Sequence, residues 1–160
     1  MRDLSLAENL AENQICVIIG ASHAGVNCAF ALRKEGWGGK ILLIDSDSEL
    51  PYHRPPLSKT YLHSSEALGQ NLLKSSESYG KENIQLLLGI KALSIDRKTQ
   101  KVQLDNGTWQ AYDKLVLATG ARALIPSIKG LSEAKYVYPL RTAADVNGIR
   151  DKIYKNQVKK

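Results

Sequence analysis

Gly20-Ala-Ser-His-Ala-Gly25, followed 20 residues after Gly25 by Asp45, has the residue types and spacing of a nucleotide site. Glycine at position 20 lets the chain turn sharply where a side chain would obstruct it. A helix opening at that turn aims its first N–H groups, and the positive end of its dipole, back across it. That arrangement suits a diphosphate. A carboxylate at position 45 can accept from both hydroxyls of a ribose. The pattern departs from G-x-G-x-x-G at its middle position, which is Ser22. A glycine there lets the backbone approach a pyrophosphate, so the serine Cβ either narrows that approach or brings a hydroxyl that donates to a phosphate oxygen.

The elements needed to hold these groups fall within residues 15–45. Ile15-Cys-Val-Ile-Ile19 reads as a strand buried on both faces. Gly25, Cys28, Ala29 and Leu32 recur at helical spacing, and their size lets a helix ending near Glu35 lie close to a sheet. Lys40-Ile-Leu-Leu-Ile-Asp45 is a second apolar strand, and it ends on the acid. Strand, turn, helix, strand and acid in this order imply dinucleotide binding rather than a chance βαβ unit.

Composition narrows the class. The apolar fraction is 43% and the charged fraction 24%, as in soluble globular proteins, and 160 residues suffice for one domain with a core, not two. No apolar run approaches the roughly 20 residues of a membrane span. Residues 1–10 carry acids early and lack a continuous apolar core, unlike a secretion signal. Cys16 and Cys28 fall in the first strand and helix without C-x-x-C spacing, so they read as buried thiols of a reducing compartment. The cytoplasm is the expected location. The net charge is +6, and residues 149–160 supply +4 of it as a solvated basic end. No stripe of basic residues interleaved with aromatics suggests a nucleic-acid partner.

Residues 1–14 are a polar lead-in with Leu4, Leu6 and Leu10. The loop from 46 to 59 contains Leu50-Pro-Tyr-His-Arg-Pro-Pro-Leu-Ser-Lys59, which Pro51, Pro55 and Pro56 are expected to hold extended. Ser58 is placed to cap a short helix carrying Thr60, Tyr61 and Leu62. Residues 63–73 read as a mobile connection, 75–81 as a short helix, and Ile84-Gln-Leu-Leu-Leu88 as a strand. Three alternating strands follow near 90–96, 101–105 and 109–112, the last two joined by an Asp105-Asn-Gly107 hairpin turn. Tyr112-Asp-Lys-Leu-Val-Leu-Ala-Thr-Gly120 reads as a buried strand returning to the core. It ends at Thr119 and Gly120, near where a ligand over the carboxyl ends of the strands would lie. Residues 121–141 read as loop with short extended pieces around Pro126 and Tyr136-Val-Tyr138. Thr142-Ala-Ala-Asp145 is a capping box with Asp in place of Glu, opening a final helix.

GASHAG, the acid at 45, PYHRPPLSK at 51–59, YDKLVLATGA at 112–121 and LRT at 140–142 together resemble the N-terminal part of the FAD-dependent, NAD(P)H-using ferredoxin, rubredoxin and putidaredoxin reductases. The likeness runs from about 15 to 150. RPPLSK is its most specific piece, whereas ATG is shared by many flavoproteins of the wider class. The resemblance implies an α/β, Rossmann-like FAD-binding fold with a parallel sheet and an inserted three-stranded antiparallel meander. It divides the chain into an extension at 1–14, an incomplete FAD-binding domain at 15–142, and a C-terminal helix and basic tail at 143–160. It further implies that Gly20, Ser22, His23, Ala24 and Gly25 surround the FAD pyrophosphate, mostly through backbone groups, and that Asp45 holds the adenosine ribose. By the same likeness Arg54 reaches the phosphate side, Lys59 lies beside the flavin ring, Ala92 offers its backbone to the adenine, and Thr119, Gly120 and Arg141 complete the site. A reduced flavin tends toward an anion, and an ammonium ~4 Å away in a partly screened site offers about 4 kcal/mol. His53 and His63 read as exposed loop residues, and no cysteine or carboxylate spacing near them suggests a metal.

Disulfide reductases of the wider class carry a C-x-x-x-x-C pair soon after the second strand. This chain has RPPLSK there and no cysteine beyond Cys28, which excludes dithiol chemistry on substrates. Family members continue into an NAD(P)H-binding domain, a further strand of the FAD domain and a C-terminal domain. The chain is therefore expected to be a segment inactive alone. In the complete enzyme, hydride passes from NAD(P)H to FAD and single electrons pass to a small acidic iron–sulfur carrier. A reading from a different class is a non-catalytic nucleotide-binding or oligomerising module without flavin, self-associating through the open sheet edge that a missing strand leaves.

Overall fold

The computed structural model describes residues 12–63 and 68–155. Its strands are β1 (Ile15–Ile19), β2 (Lys40–Asp45), β3 (Ile84–Leu88), β4 (Ala92–Asp96), β5 (Lys101–Leu104), β6 (Trp109–Ala111) and β7 (Lys114–Leu117). Its α-helices are α1 (His23–Lys34), α2 (Thr60–His63), α3 (Ser76–Lys81) and α4 (Ala143–Lys155). The chain divides into two compact units. The first comprises Met1–Tyr52 and Leu72–Gly120, the second His53–Asn71 and Ala121–Lys160.

The first unit is α/β. A parallel sheet in the order β3-β2-β1-β7 lies beside a separate antiparallel sheet in the order β4-β5-β6. Because successive side chains of a strand point to opposite faces, β1 and β2 must be apolar throughout if both faces are covered. They are. Cys16, Ile18, Ile41 and Leu43 pack with Val26 and Ala29 of α1 and Tyr79 of α3, while Val17, Ile19, Leu42 and Ile44 pack with Val102 and Leu104 of β5. The meander is thus the cover for the second face of the parallel sheet. Its hairpin closes at Asp105-Asn-Gly107, where Gly107 donates to Leu104 O at 3.1 Å and has the positive φ of 84° that the turn requires.

Arg33, at the end of α1, fastens the helix to two connections. Its guanidinium donates to the carbonyls of Trp37, Gly39, Glu82 and Asn83 at 2.5 to 2.8 Å. Burial lowers its pKa from the ordinary arginine value, and the Glu82 carboxylate opposes that shift. Tyr79 is 2% exposed and meets Phe30 edge-on, with ring centroids 5.4 Å apart. Its hydroxyl finds no hydrogen-bond partner among the described residues, and desolvation pushes its pKa up to about 12.

The second unit is built differently. The proline-rich arm runs through a 3-10 turn at Pro55–Ser58 into α2, and α4 supplies its long helix. Leu57, Tyr61, Leu68, Ala143 and Val146 are its buried side chains. Arg150 lies 4.1 Å above the Tyr61 ring, and the Tyr61 hydroxyl donates to Asn147 Oδ1 at 3.2 Å.

Three expectations need correction. The arm is extended only around Pro51 and Tyr52, where Tyr52 bridges Leu72. From Arg54 on it coils, because proline at the first positions of a helical turn has the right φ and lacks only an N–H that would be unsatisfied there. The stretch 63–73 is not all loose connection, since Leu68–Asn71 forms a 3-10 turn with Leu68 buried; residues 64–67 lie outside the described part. Finally, β7 is an edge strand, not a buried one. No described strand pairs with its outer side, and Leu117 is 61% exposed.

Candidate functional site

In the first unit the site grows from the carboxyl ends of β1, β2 and β7. The chain leaves β1 at Gly20, whose φ of +108° is one that L side chains rarely adopt. Its N–H donates to Ile44 O of β2 at 2.7 Å, and Ala118 beyond β7 donates to Ile19 O at 2.8 Å. The turn is so tight that a Cβ at Gly20 would stand 2.2 Å from Ala118 O and 3.1 Å from Thr119 N. A Cβ at Gly25 would stand 1.8 Å from Gly20 O. These two glycines therefore permit the contact between turn, helix and strand.

Helix α1 starts at this turn with Ser22 at its N-cap, although the serine side chain makes no cap hydrogen bond. The first intrahelical bond runs from Val26 N–H to Ser22 O at 2.9 Å. The N–H groups of Ala24 and Gly25 therefore lie outside the helix's own ladder, at its positive end. Asp45 closes the other side. Its Oδ2 accepts the Ala21 N–H at 2.5 Å and its Oδ1 accepts the Asp47 N–H at 2.9 Å. A carboxylate has about four acceptor sites, so two ribose hydroxyls remain within its capacity. Asp45 O also accepts the Ile90 N–H at 3.0 Å, which brings the start of the meander, and Ala92 two residues on, toward the same end of the sheet.

Gly20, Ser22, His23, Ala24, Gly25, Asp45, Ala92, Thr119 and Gly120 thus all belong to the first unit, and bonds or near contacts tie Gly20, Gly25, Asp45 and Thr119 to one turn. Sequence reasoning missed Asp47 and Tyr52. Asp47 Oδ2 accepts the Tyr52 hydroxyl at 2.8 Å, and Asp47 O accepts the Gly89 N–H at 2.9 Å. An acid two residues past the strand end was the available signal.

Arg54, Lys59 and Arg141 belong to the second unit. Arg54 donates to Arg141 O at 2.8 Å, and Arg141 Nε donates to Ala121 O at 2.6 Å. Lys59 is exposed, with its N–H donating to Pro56 O at 3.0 Å. Asp145 Oδ2 accepts the N–H groups of Arg141 and Thr142 at 2.9 and 2.8 Å. Burial pulls the Asp145 carboxyl up, but hydrogen bonds from the Thr142 and Arg141 backbone and the Thr142 side chain, with the charge of Arg54, outweigh it and leave the pKa below the ordinary aspartate value. The capping box was legible in the sequence, but the hold on Arg141 was not.

A glycine turn at the strand ends, opening a helix and closed by a carboxylate, is an arrangement that dinucleotide-binding folds share. The family described as pyridine nucleotide-disulphide oxidoreductase matches residues 15–159, and the chain belongs to it. Within that family it is similar to putidaredoxin reductase of Pseudomonas putida, at 41% identity over 140 residues, covering 86% of this chain and 33% of the relative. A rubredoxin-NAD(+) reductase of Pseudomonas putida is 42% identical over 137 residues, covering 86% and 35%. Among solved structures, the reductase of the covalent putidaredoxin reductase–putidaredoxin complex superimposes with a TM-score of 0.76 at 39% identity, covering 88% of this chain and 34% of that one. NADH:rubredoxin oxidoreductase from Clostridium acetobutylicum gives 0.79 at 29% identity, covering 92% and 37%. The chain spans about a third of the length of these relatives.

Proposed function

We propose that this chain is the FAD-binding segment of a ferredoxin-reductase-like flavoprotein, in which electrons pass from NAD(P)H through FAD to a small iron–sulfur carrier. The observation that carries the reading is the closure at Gly20, Gly25 and Asp45, where a Cβ at either glycine would collide with backbone. There the N–H groups at the start of α1 receive the diphosphate and the Asp45 carboxylate takes the adenosine ribose. Ala92 borders the adenine. Bound FAD supplies the exchange between a two-electron hydride and single electrons. The cofactor roles of Arg54, Lys59 and Arg141 in the second unit rest on the family resemblance. Cys16 and Cys28 are free thiols, one buried and one half-buried, which fits a reducing compartment such as the cytoplasm. No helix of the described residues is long and apolar enough to cross a membrane.

The purified 160-residue chain is expected to bind FAD, read as a flavin absorbance band that travels with the protein and as a change in flavin fluorescence on titration. Turnover is a separate matter. The 160 residues carry one glycine fingerprint, so no steady NADH oxidation is expected. A colourless protein that leaves FAD fluorescence unchanged removes the reading.

The open side of β7 favours a second reading, a flavin-free module that associates with itself through that edge. Its mark is a solution mass that rises with concentration in a protein that ignores FAD.

A further inference from the structure

We infer that Asp145 is a positioning residue for the arm that carries Lys59, acting through Arg141 and Arg54; the inference rests on the reading above, that this arm serves a bound flavin. An ordinary capping box needs less than is found. It joins the N-cap side chain to one N–H of the first turn and returns one bond to the N-cap N–H. Those two bonds are present: the Asp145 N–H donates to Thr142 Oγ1 at 3.2 Å, and the Thr142 N–H donates to Asp145 Oδ2 at 2.8 Å.

The same oxygen also takes the Arg141 N–H at 2.9 Å, one residue before the N-cap Thr142. The Arg141 carbonyl, on the far side of that residue, accepts from the Arg54 guanidinium at 2.8 Å, and the Arg141 side chain is fixed to Ala121 O at 2.6 Å. Arg141 is therefore held at its N–H, its carbonyl and its side chain at once. The charge on Arg54 acts on Asp145 as well.

Arg54 is the residue from which the 3-10 turn Pro55–Ser58 hangs. Its carbonyl accepts the Leu57 N–H at 3.0 Å, and the next bond of the turn joins the Lys59 N–H to Pro56 O at 3.0 Å. Leu57 is the only buried residue of that turn, so its packing cannot by itself set the direction in which the chain leaves at Lys59. The guanidinium of Arg54 supplies a second anchor, and Asp145 fixes the peptide that the guanidinium grips. A long cation tethered to a rigid carbonyl has fewer arrangements than one tethered to a loose loop.

The test compares Asp145→Ala and Asp145→Asn with the parent chain by backbone amide relaxation, amide exchange and FAD titration. In Asp145→Ala, exchange at Arg141 and Thr142 is expected to quicken at least tenfold. The order parameters of Leu57 and Lys59 fall from about 0.85 toward 0.6, and FAD binds about tenfold more weakly, or about 1.4 kcal/mol. Asparagine keeps an accepting oxygen but not the charge. In Asp145→Asn the Arg141 and Thr142 amides are expected to stay protected while Lys59 is loosened in part and FAD binds about threefold more weakly. Should Leu57 and Lys59 keep their parent order parameters in both variants while Arg141 and Thr142 are deprotected, Asp145 is a helix cap and nothing more. A parent chain that ignores FAD overturns the flavin reading instead, and the relaxation data still decide the link from Asp145 to the arm.

Discussion

In the first unit β1 is hydrogen-bonded on both edges and covered on both faces, so Val17 and Ile18 are wholly buried. In the second unit Arg54, Arg141, Asp145 and Arg150 reach across to backbone carbonyls, backbone N–H groups and an aromatic ring. Charge follows the same division. The second unit holds 11 Lys and Arg against 4 Asp and Glu, a net of +7, while the first holds 11 against 12. The first unit rests mainly on shape that excludes water, with Arg33 and Asp45 as its long-range polar ties, whereas the second draws more of its order from polar side chains reaching backbone groups distant in sequence. The two should fail differently when altered.

The largest effect is expected where packing leaves no room. Gly25→Ala puts a carbon 1.8 Å from Gly20 O, and neither backbone can yield without parting α1 from β1. A loss of about 3 kcal/mol or more in urea unfolding is expected; a loss below about 1 kcal/mol would show the turn to be soft. Next comes an alkaline effect at Tyr79. Below pH 10 the folded and unfolded chains both keep the phenol proton. Between about 10 and about 12 only the unfolded chain releases it, so stability falls with rising pH and levels off above the folded value. The loss approaches about 3 kcal/mol, the free energy that separates a phenol titrating near 10 from one titrating near 12. Tyr79→Phe should abolish this component, and parallel pH curves for the two proteins would refute it. The smallest effect belongs to the second unit. Gly148 lies within α4 with nothing within 4 Å of its would-be Cβ, so Gly148→Ala should raise stability by about 0.8 kcal/mol. A decrease would mean that α4 is limited by packing, as β1 is.

The same contrast explains what could be read from the sequence. Buried strands announce themselves by apolar runs, the hairpin by Asp105-Asn-Gly107, and α4 by Thr142-x-x-Asp145. All three signals are local, and all three elements form. An apolar run does not say how many neighbours a strand will have, so β7 reads as buried yet lies at an edge. Proline restricts φ to a range shared by extended and helical backbone, which is why the arm reads as extended and coils at Pro55–Ser58. At the site, glycines and an acid at strand ends carry a spacing signal. The partners of Arg54 and Arg141 lie 87 and 20 residues away in sequence and carry none.

Asp45 reaches back 24 residues to hold the Ala21 N–H. The turn at 20–25 is thereby tied to the end of β2 by a bond made within the chain. Under the proposed reading, that bond spares a bound nucleotide part of the ordering cost of the turn, because the chain's own carboxylate already restrains it.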